Sequence, residues 1–209
     1  MTDDIDGRPP SSGSLSRRNL IVAGGVALVA GGVTPTAAPT SAATPATPLK
    51  DYDPIRSELV MNLLVTCSSP EPMGDSSASK DGDRARIWPI IGGRFRGPRL
   101  GGKVIPGGAD FPVTRPDGVS FVDAFYRIQE DDGTLIIIHN MGMAYPELPD
   151  GRRPYRLSPS FTTVEGPHDW LNKSIFVATL TYGPAVPPEM RLAKGPNEND
   201  RLIQVHRIF

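Results

Sequence analysis

The chain of 209 residues contains 23 Pro and 22 Gly, 38% hydrophobic residues and a formal net charge of −1. Because Pro and Gly interrupt helices, this composition excludes an all-helical protein, while the hydrophobic content and balanced charge exclude global disorder. The balanced charge also leaves no basic excess to neutralise phosphates, so we expect no nucleic-acid partner. One soluble domain, rich in loops or strands, remains.

Metal, disulfide and cofactor chemistry have few candidate residues. Cys67 is the only cysteine, which excludes an intramolecular disulfide and a thiolate cluster built from this chain alone. The histidines are His139, His168 and His206, and they show none of the close spacings that are typical of metal sites. Phosphate-loop, dinucleotide and nucleophile-elbow motifs are absent from the sequence. We therefore expect neither a metal nor a cofactor.

The N-terminal segment has the features of an export signal. A polar stretch precedes Arg17 and Arg18, an apolar run of 14 residues occupies positions 20–33, and small residues follow. This order is typical of a signal that the twin-arginine export machinery reads, and the apolar run is shorter than the roughly 20 residues of a membrane-spanning helix. We predict a signal over residues 1–43, a periplasmic or extracellular location, and a Pro/Thr/Ala linker over 44–56.

The remainder, residues 57–209, is predicted to form strands joined by Gly- and Pro-rich turns. Residues 57–67 are apolar with β-branched members, which favours a strand, although the pattern alone is also compatible with a short helix. Between positions 89 and 118, apolar residues recur among glycines and prolines, as expected of sharply bent strands. Further strands are predicted at 87–95, 174–182 and 202–209.

Residues 119–140 are predicted to form a β-hairpin. Apolar and polar side chains alternate through 119–129, a return strand occupies 134–140, and Asp131-Asp132-Gly133 forms the turn between them. One face carries Val122, Ala124, Tyr126 and Ile128, and the other carries Phe121, Asp123, Phe125 and Arg127. Many short strands with Gly/Pro turns indicate a single antiparallel all-β domain, either a sandwich or a barrel.

Three blocks of the sequence resemble one known family. They are IWPIIGGRFRGPRLGGKVIPGGAD at 87–110, RPDGVSFVDAFYRIQEDDGTLIIIHNMG at 115–142, and SFTTVEGPHDWLNKSIFVAT at 160–179. Their order and spacing resemble the family called domain of unknown function 3237, or uncharacterised protein family 0311, over roughly residues 58–209. The resemblance implies a compact antiparallel β-barrel-like domain, often found in assemblies, and it implies no established activity.

The chain departs from the family pattern at three positions. Phe111, Phe125 and Thr162 stand where the family commonly has Trp, Arg and Glu, respectively. If the missing Arg and Glu belong to a polar site in other members, the resemblance implies a less charged pocket or a different ligand here.

Two aspartates are candidate catalytic groups. Asp110 ends the Gly-rich stretch, where its carboxylate would either point into a cavity as an acid or base, or accept hydrogen bonds from free N–H groups of the turn. Asp123 lies in a strand between Phe121 and Phe125. If this face lines the barrel interior, burial would raise the pKa of Asp123 and suit proton transfer, unless an arginine pairs with it.

Six further residues are candidates for lining a ligand pocket: Arg99, Phe121, Phe125, His139, Trp170 and Asn172. Trp170 and Asn172 precede a predicted strand and could place an indole and an amide at the barrel mouth, although core packing and a turn cap explain them equally well. His139 follows an apolar run, where a hydrogen-bonded core histidine is more common than a catalytic one. Arg99 could bind a carboxylate, although a solvated edge charge is the default.

Three functions are compatible with these features. The first is an exported barrel that binds a small organic molecule between its strands, with Phe121, Asp123 and Phe125 facing inward, since barrels of about eight strands can hold one small ligand. The second is a cofactor-free lyase, isomerase or hydrolase that uses Asp110 or Asp123 as acid or base. The third is a structural subunit whose barrel face contacts identical chains. If a pocket exists, we expect Asp110 and the Gly-rich stretch to border it.

Overall fold

The computed structural model describes residues 50–75 and 84–209. The predicted export signal, and the linker as far as residue 49, lie outside the described residues. In the part of the chain that is described, none of the helices is long and apolar enough to cross a membrane.

The described chain is built almost entirely from β-strands. The strands are β1 Ser57–Ser68, β2 Glu71–Asp75, β3 Arg84–Arg96, β4 Gly101–Asp110, β5 Val113–Thr114, β6 Ser120–Glu130, β7 Leu135–Ala144, β8 Tyr155–Thr163, β9 Ile175–Tyr182 and β10 Glu198–Ile208. Short 3₁₀ helices occupy Asp169–Lys173, Gly183–Ala185 and Pro188–Met190. Within residues 50–75 and 84–209, the spacing of Gly and Pro leaves few uninterrupted stretches in which a long helix could form.

Eight of the strands form a closed antiparallel barrel. Each strand pairs with the next in the order β1, β10, β9, β8, β7, β6, β4 and β3, and the pairing of β3 with β1 closes the ring. The two short strands extend one end, β2 by pairing with β3 and β5 by bridging β3 and β6. The prediction of a single antiparallel barrel-like domain is confirmed.

The predicted hairpin is formed by β6 and β7. The two strands pair in continuous register from Ser120 opposite Ala144 to Gln129 opposite Leu135, and Gly133 has the positive φ of 93° that the tight turn requires. Alternate β6 side chains are buried in the barrel, namely Ser120, Val122, Ala124, Tyr126, Ile128 and Glu130.

The prediction that Phe121, Asp123 and Phe125 face the interior is wrong. These side chains point outward, with Phe121 45% and Phe125 54% exposed. The physical reason is that one strand can bury only one of its faces here. The middle of the face with Val122, Tyr126 and Ile128 is apolar and fills the core, and its one carboxylate, Glu130, lies at the strand end, where it accepts a hydrogen bond from a backbone N–H. The other face would bury Asp123 in the middle of the strand.

The Gly-rich stretch bends β3 and β4 as predicted. The pairing of these strands shifts register between Ile90 and Arg94, and the pairing of β4 with β6 shifts between Ile105 and Ala109. At Gly93 the backbone of β3 lies so close to the Leu64 carbonyl of β1 that a Cβ atom would overlap it. The bend therefore allows β3 to approach β1 and close the barrel.

The two ends of the barrel differ. At one end, called the helix end below, the 3₁₀ helix Asp169–Lys173 buries Leu171 against the core between β8 and β9. At the opposite end, called the cavity end, β4 and β9 finish and β6, β8 and β10 begin. The strand ends at the cavity end surround an open space.

Candidate functional site

A cavity of about 480 Å³ occupies the cavity end. Its charged and polar lining includes Arg86, Asp110, Ser120, Arg153, Glu198, Asn199 and Arg201, and its aromatic and apolar lining includes Trp88, Val122, Ala144, Tyr155, Leu180 and Tyr182. These residues come from seven of the barrel strands and from the loops between them. Concave sites that combine aromatic walls with a few polar groups are typical of small-molecule pockets.

Asp110 contributes a carboxyl group at the end of β4. Its Oδ1 atom accepts a hydrogen bond from the Asp123 backbone N–H at 3.1 Å. Burial raises the pKa of Asp110 above its usual value, although that N–H and the positive charge of Arg201 act in the opposite direction. The group is therefore easier to protonate than an exposed aspartate, as a general acid or base requires.

Arg201 and Trp88 form the side of the cavity near Asp110. The guanidinium of Arg201 lies over the Trp88 ring, 4.3 Å from its centroid, and Nη1 donates to Oδ1 of Asn199 at 2.6 Å. Within the described residues, no carboxylate lies within ion-pair distance of Arg201. Its charge is therefore held by stacking and by neutral partners.

Arg153 is fixed at another side of the cavity. Nη2 donates to Oγ of Ser120 at 2.8 Å and to the Gly118 carbonyl at 3.0 Å, and Nε donates to the Tyr145 carbonyl at 2.9 Å. The guanidinium also lies 5.9 Å from the ring centroid of Tyr155. These contacts hold a positive charge in place at the cavity wall.

Two tyrosines form an aromatic wall. The rings of Tyr155 and Tyr182 meet edge to face, with their centroids 5.9 Å apart. Burial raises the pKa of Tyr155, so its hydroxyl stays protonated and can donate a hydrogen bond at neutral pH.

The segment between β9 and β10 is held against the barrel by a buried carboxylate. Asp200 accepts hydrogen bonds from the hydroxyl of Thr66 at 2.6 Å and from the backbone N–H groups of Leu192 and Ala193 at 2.6 and 2.9 Å. Gly183 and Pro196, at the two ends of this segment, line the cavity. Asp200 does not line the cavity itself, but it holds in place the segment whose ends form part of the cavity rim.

Cys67 and Tyr126 lie in the barrel interior. Burial raises the pKa of the Cys67 thiol to about 11, which makes it a poor nucleophile at neutral pH. Tyr126 is 2% exposed, and its hydroxyl has no hydrogen-bond partner among the described residues. Neither side chain belongs to the lining of the cavity.

Four of the sequence-predicted residues lie on the outer surface instead of in the cavity: Phe121, Asp123, Phe125 and His139. Nε2 of His139 donates to Oδ1 of Asp123 at 2.7 Å, and the His139 ring meets the Phe125 ring edge to face at 5.7 Å. His139 is therefore neither a core residue nor a cavity residue. It forms a surface hydrogen bond with the aspartate predicted to be catalytic.

Three more predicted residues, Arg99, Trp170 and Asn172, lie at the helix end. Arg99 stacks over Trp170 at 4.6 Å. The Asn172 side chain accepts from the Thr163 N–H and donates to its carbonyl, both at 2.9 Å. The prediction that these residues share a pocket with Asp110 is wrong, because the chain enters β9 at the end of the barrel opposite to where β4 finishes. Of the predicted site residues, Asp110 alone lines the cavity.

The main residues that the sequence analysis missed are Trp88, Arg153, Tyr155, Tyr182 and Arg201. A signal existed for two of them in the two-residue period of the strands. Arg201 stands two and four residues before the buried Ile203 and Val205, so alternation directs its side chain into the barrel. Tyr155 stands two residues before the buried Leu157 and is directed inward for the same reason. No comparable signal brings them together, because the segments that carry them lie far apart in the sequence.

The fold and the site define a closed antiparallel β-barrel with a charged, aromatic-lined cavity at one end. Residues 55–191 match the family described as "Protein of unknown function (DUF3237)". Since this match spans more than half of the chain, the chain belongs to that family.

The relatives found by sequence include two bacterial proteins of the UPF0311 group. The chain is 33% identical to a UPF0311 protein of Clostridium acetobutylicum over 139 residues, which cover 61% of this chain and 86% of the relative. It is 32% identical to a UPF0311 protein of Rhodopseudomonas palustris over 106 residues, which cover 45% of this chain and 69% of the relative.

Solved structures show the same architecture. A protein with unknown function from C. acetobutylicum has a TM-score of 0.61 and 29% identity, and the superposition covers 76% of this chain and 100% of that protein. A protein from Acinetobacter baumannii described as β-barrel like has a TM-score of 0.58 and 22% identity, with coverages of 76% and 100%. The latter similarity concerns the fold alone.

Proposed function

We propose that this protein binds a small organic molecule in the cavity at the cavity end of the barrel. The observation that carries the proposal is a space of about 480 Å³ walled by Trp88, Tyr155 and Tyr182 and lined by a few polar groups. Its volume lies within the roughly 300–1,000 Å³ of most ligand pockets. Asp110, Arg153 and Arg201 would orient the ligand, while the aromatic rings cover its apolar surface.

The two tryptophans offer a direct test, because Trp88 lines the cavity and Trp170 lies at the helix end. The variants W170F and W88F each retain one indole. A library of small aromatic and aliphatic compounds is titrated against both while emission is recorded. We expect some compounds to change Trp88 emission at saturable concentrations while Trp170 emission stays constant. Equal responses of both variants, or no response from any compound, would contradict the proposal.

A second candidate function is acid–base catalysis on the bound molecule. It is favoured by the raised pKa of Asp110, which burial shifts towards the range where a carboxyl can exchange protons. In this function the protein is a cofactor-free lyase, isomerase or hydrolase. The substitution D110N separates the two functions once a ligand is identified. Loss of turnover in D110N with binding retained supports catalysis. If the unmodified protein turns over no bound compound, catalysis is excluded and binding is the remaining function.

A third candidate function is structural and involves a second copy of the same chain. The outer face of β6 and β7 exposes Phe121, Phe125, Leu135, Ile137, Met141 and Met143, a larger apolar surface than isolated exposed residues produce. Asp123 and Arg127 flank Phe125 on this face. A two-fold axis near Phe125 would place each Asp123 beside the Arg127 of the other copy, so the face has complementary charges for self-association. Sedimentation as a monomer at working concentrations would contradict this function.

We further propose that the twin-arginine machinery exports the chain. The support is the sequence order of polar stretch, Arg17-Arg18, apolar run and small residues. The test replaces both arginines by lysine and follows the protein in cell fractions, with Arg8→Lys as the matched control. We expect the double variant to remain in the cytoplasm while the control is exported. Export of the double variant at the normal level would refute this route.

A further inference from the structure

The cavity contains more basic than acidic side chains. Among the residues that the structure describes, its lining includes Arg86, Arg153 and Arg201 and two carboxyl groups, those of Asp110 and Glu198. Over residues 50–75 and 84–209, neither Arg153 nor Arg201 forms an ion pair with any carboxylate. A guanidinium held in a pocket without a negative partner attracts anions, because low surrounding polarity strengthens charge interactions.

The described acidic groups of the cavity are fewer than its guanidiniums. Burial raises the pKa of Asp110, so this carboxyl is easier to protonate than an exposed aspartate. Oε2 of Glu198 accepts a hydrogen bond from the Lys194 backbone N–H at 2.8 Å, so that oxygen is directed to the rim loop. The described lining therefore carries more positive than negative groups.

The guanidiniums retain the capacity to bind an oxyanion. Arg153 uses Nε and Nη2 for protein carbonyl and hydroxyl groups, while its Nη1 donates to no atom in the described part of the chain. The Arg201 guanidinium is oriented by stacking on Trp88 and by Asn199. Guanidinium groups recognise carboxylates through parallel N–H donors, and fixed orientation reduces the entropy lost on binding.

The aromatic residues define the rest of the ligand. The Trp88 ring lies under Arg201, and Tyr155 lies beside Arg153, so both positive charges adjoin an aromatic surface. A planar ring that bears the anion can contact these surfaces while its charge reaches a guanidinium. An aliphatic anion of the same size would leave the flat walls poorly packed.

We propose that the ligand is a small planar organic carboxylate, whose anion is held by Arg201 and Arg153 and whose ring packs against Trp88 and the tyrosine wall. This inference rests on the proposed binding function and adds the chemical class of the ligand.

The test compares 1-naphthoate with 1-naphthamide, which share the ring and differ in charge. Both are titrated into the W170F variant, where Trp88 is the only indole. We expect naphthoate to bind more tightly by about tenfold or more, because charge-assisted hydrogen bonds exceed neutral ones in strength. Adding R201Q or R153Q should reduce naphthoate affinity by about tenfold and leave naphthamide affinity unchanged. Adding R96Q, at an exposed arginine of the helix end, should alter neither.

The outcomes separate the two levels of the proposal. Equal affinity for both probes overturns the carboxylate class but leaves cavity binding intact. An R201Q or R153Q effect that is equal for both probes indicates distortion of the pocket and also overturns the role of the charges. If neither probe binds while another compound of the library changes Trp88 emission, the ligand class is wrong. If no compound binds at all, cavity binding itself fails.

Discussion

The Asp110 carboxyl lies close enough to Arg201 to feel its positive charge, yet its ionised form remains disfavoured. The free-energy cost of removing water from the carboxylate exceeds the stabilisation that the guanidinium and the backbone N–H groups provide. A residue chosen only for stability would not be an ionisable group in such a place. Buried ionisable groups of this kind are enriched at functional sites, which makes Asp110 the first residue to test.

Replacing Asp110 by Asn should stabilise the protein at neutral pH. The folded-state pKa is raised above 3.8, so the folded protein holds the proton more tightly than the unfolded chain does. The wild type therefore loses stability, relative to D110N, as pH rises through the folded-state pKa. The difference vanishes below the unfolded value, where both states are protonated.

Thermal melts of D110N and wild type between about pH 3.5 and pH 8 check this sign. The substitution D131N, at an exposed turn carboxylate, serves as control and should shift the melting temperature little. A lower stability of D110N at neutral pH would show that ionised Asp110 stabilises the fold through Arg201 and the backbone amides.

Cys67 should resist alkylation in the folded protein. Its thiol is buried in the barrel and its pKa is raised to about 11 by that burial, so little thiolate is present or accessible. We expect reaction with iodoacetamide at pH 8 to be at least about tenfold slower than in denaturant, followed by mass spectrometry. A similar rate in both states would mean that the cavity end opens widely enough to reach β1.

At the scale of elements, the bend of β3 determines whether the barrel closes. Gly92 and Gly93 have similar positive φ values of 153° and 144°. A Cβ atom would meet nothing within 4 Å at Gly92, whereas at Gly93 it would overlap the Leu64 carbonyl and the Val104 side chain. The two positions share a backbone conformation and differ in the space around them.

The substitutions G92A and G93A therefore form a matched pair. Both introduce comparable backbone strain, and only G93A forces β1 and β3 apart. We expect G93A to lower the free energy of unfolding by about 1–3 kcal/mol more than G92A does, the usual range for overpacking. Urea unfolding measures both values. Equal losses of unfolding free energy in G92A and G93A would show that the pairing of β1 with β3 tolerates separation of the two strands.

The alternation in β6 and the Asp-Gly turn made the hairpin predictable, because both signals are local in sequence. Which face points inward was not predictable with the same ease. Phe121 and Phe125 are as hydrophobic as Val122 and Tyr126, and only contacts with distant strands determine the buried side. The charged residues Asp123 and Arg127 both lie on the outward face, and their charge was the better indication of which face is exposed.

The candidate site was less predictable than the fold for a geometric reason. Asp110 was found because a Gly-rich stretch ended beside it. Arg201 and Tyr155 adjoin the same cavity only because the strand order places β8 and β10 in one ring with β4. Such a site is assembled from strand ends, and no short sequence motif encodes it.

At the scale of the whole molecule, the exposed apolar face of β6 and β7 predicts self-association. The variant F125D would place a charge at the proposed two-fold axis, opposite the same charge in the second copy. We expect wild type to sediment as a dimer or larger assembly and F125D to sediment as a folded monomer, with its strand content unchanged by circular dichroism. The control I175D alters an exposed apolar residue on β9, which pairs with neither β6 nor β7, and should leave the assembly intact.

The pairing of β1 with both β3 and β10 has a consequence for biosynthesis. Strand β1 pairs with the described strand that lies farthest from it in the sequence: Ser57 lies opposite Ile208, and Ser68 lies opposite Glu198. Until β10 has left the ribosome, β1 and β9 each carry an unpaired edge that can pair with other chains. The ring is therefore completed only after residue 208 has been synthesised, and the nascent barrel stays open to mispairing until then.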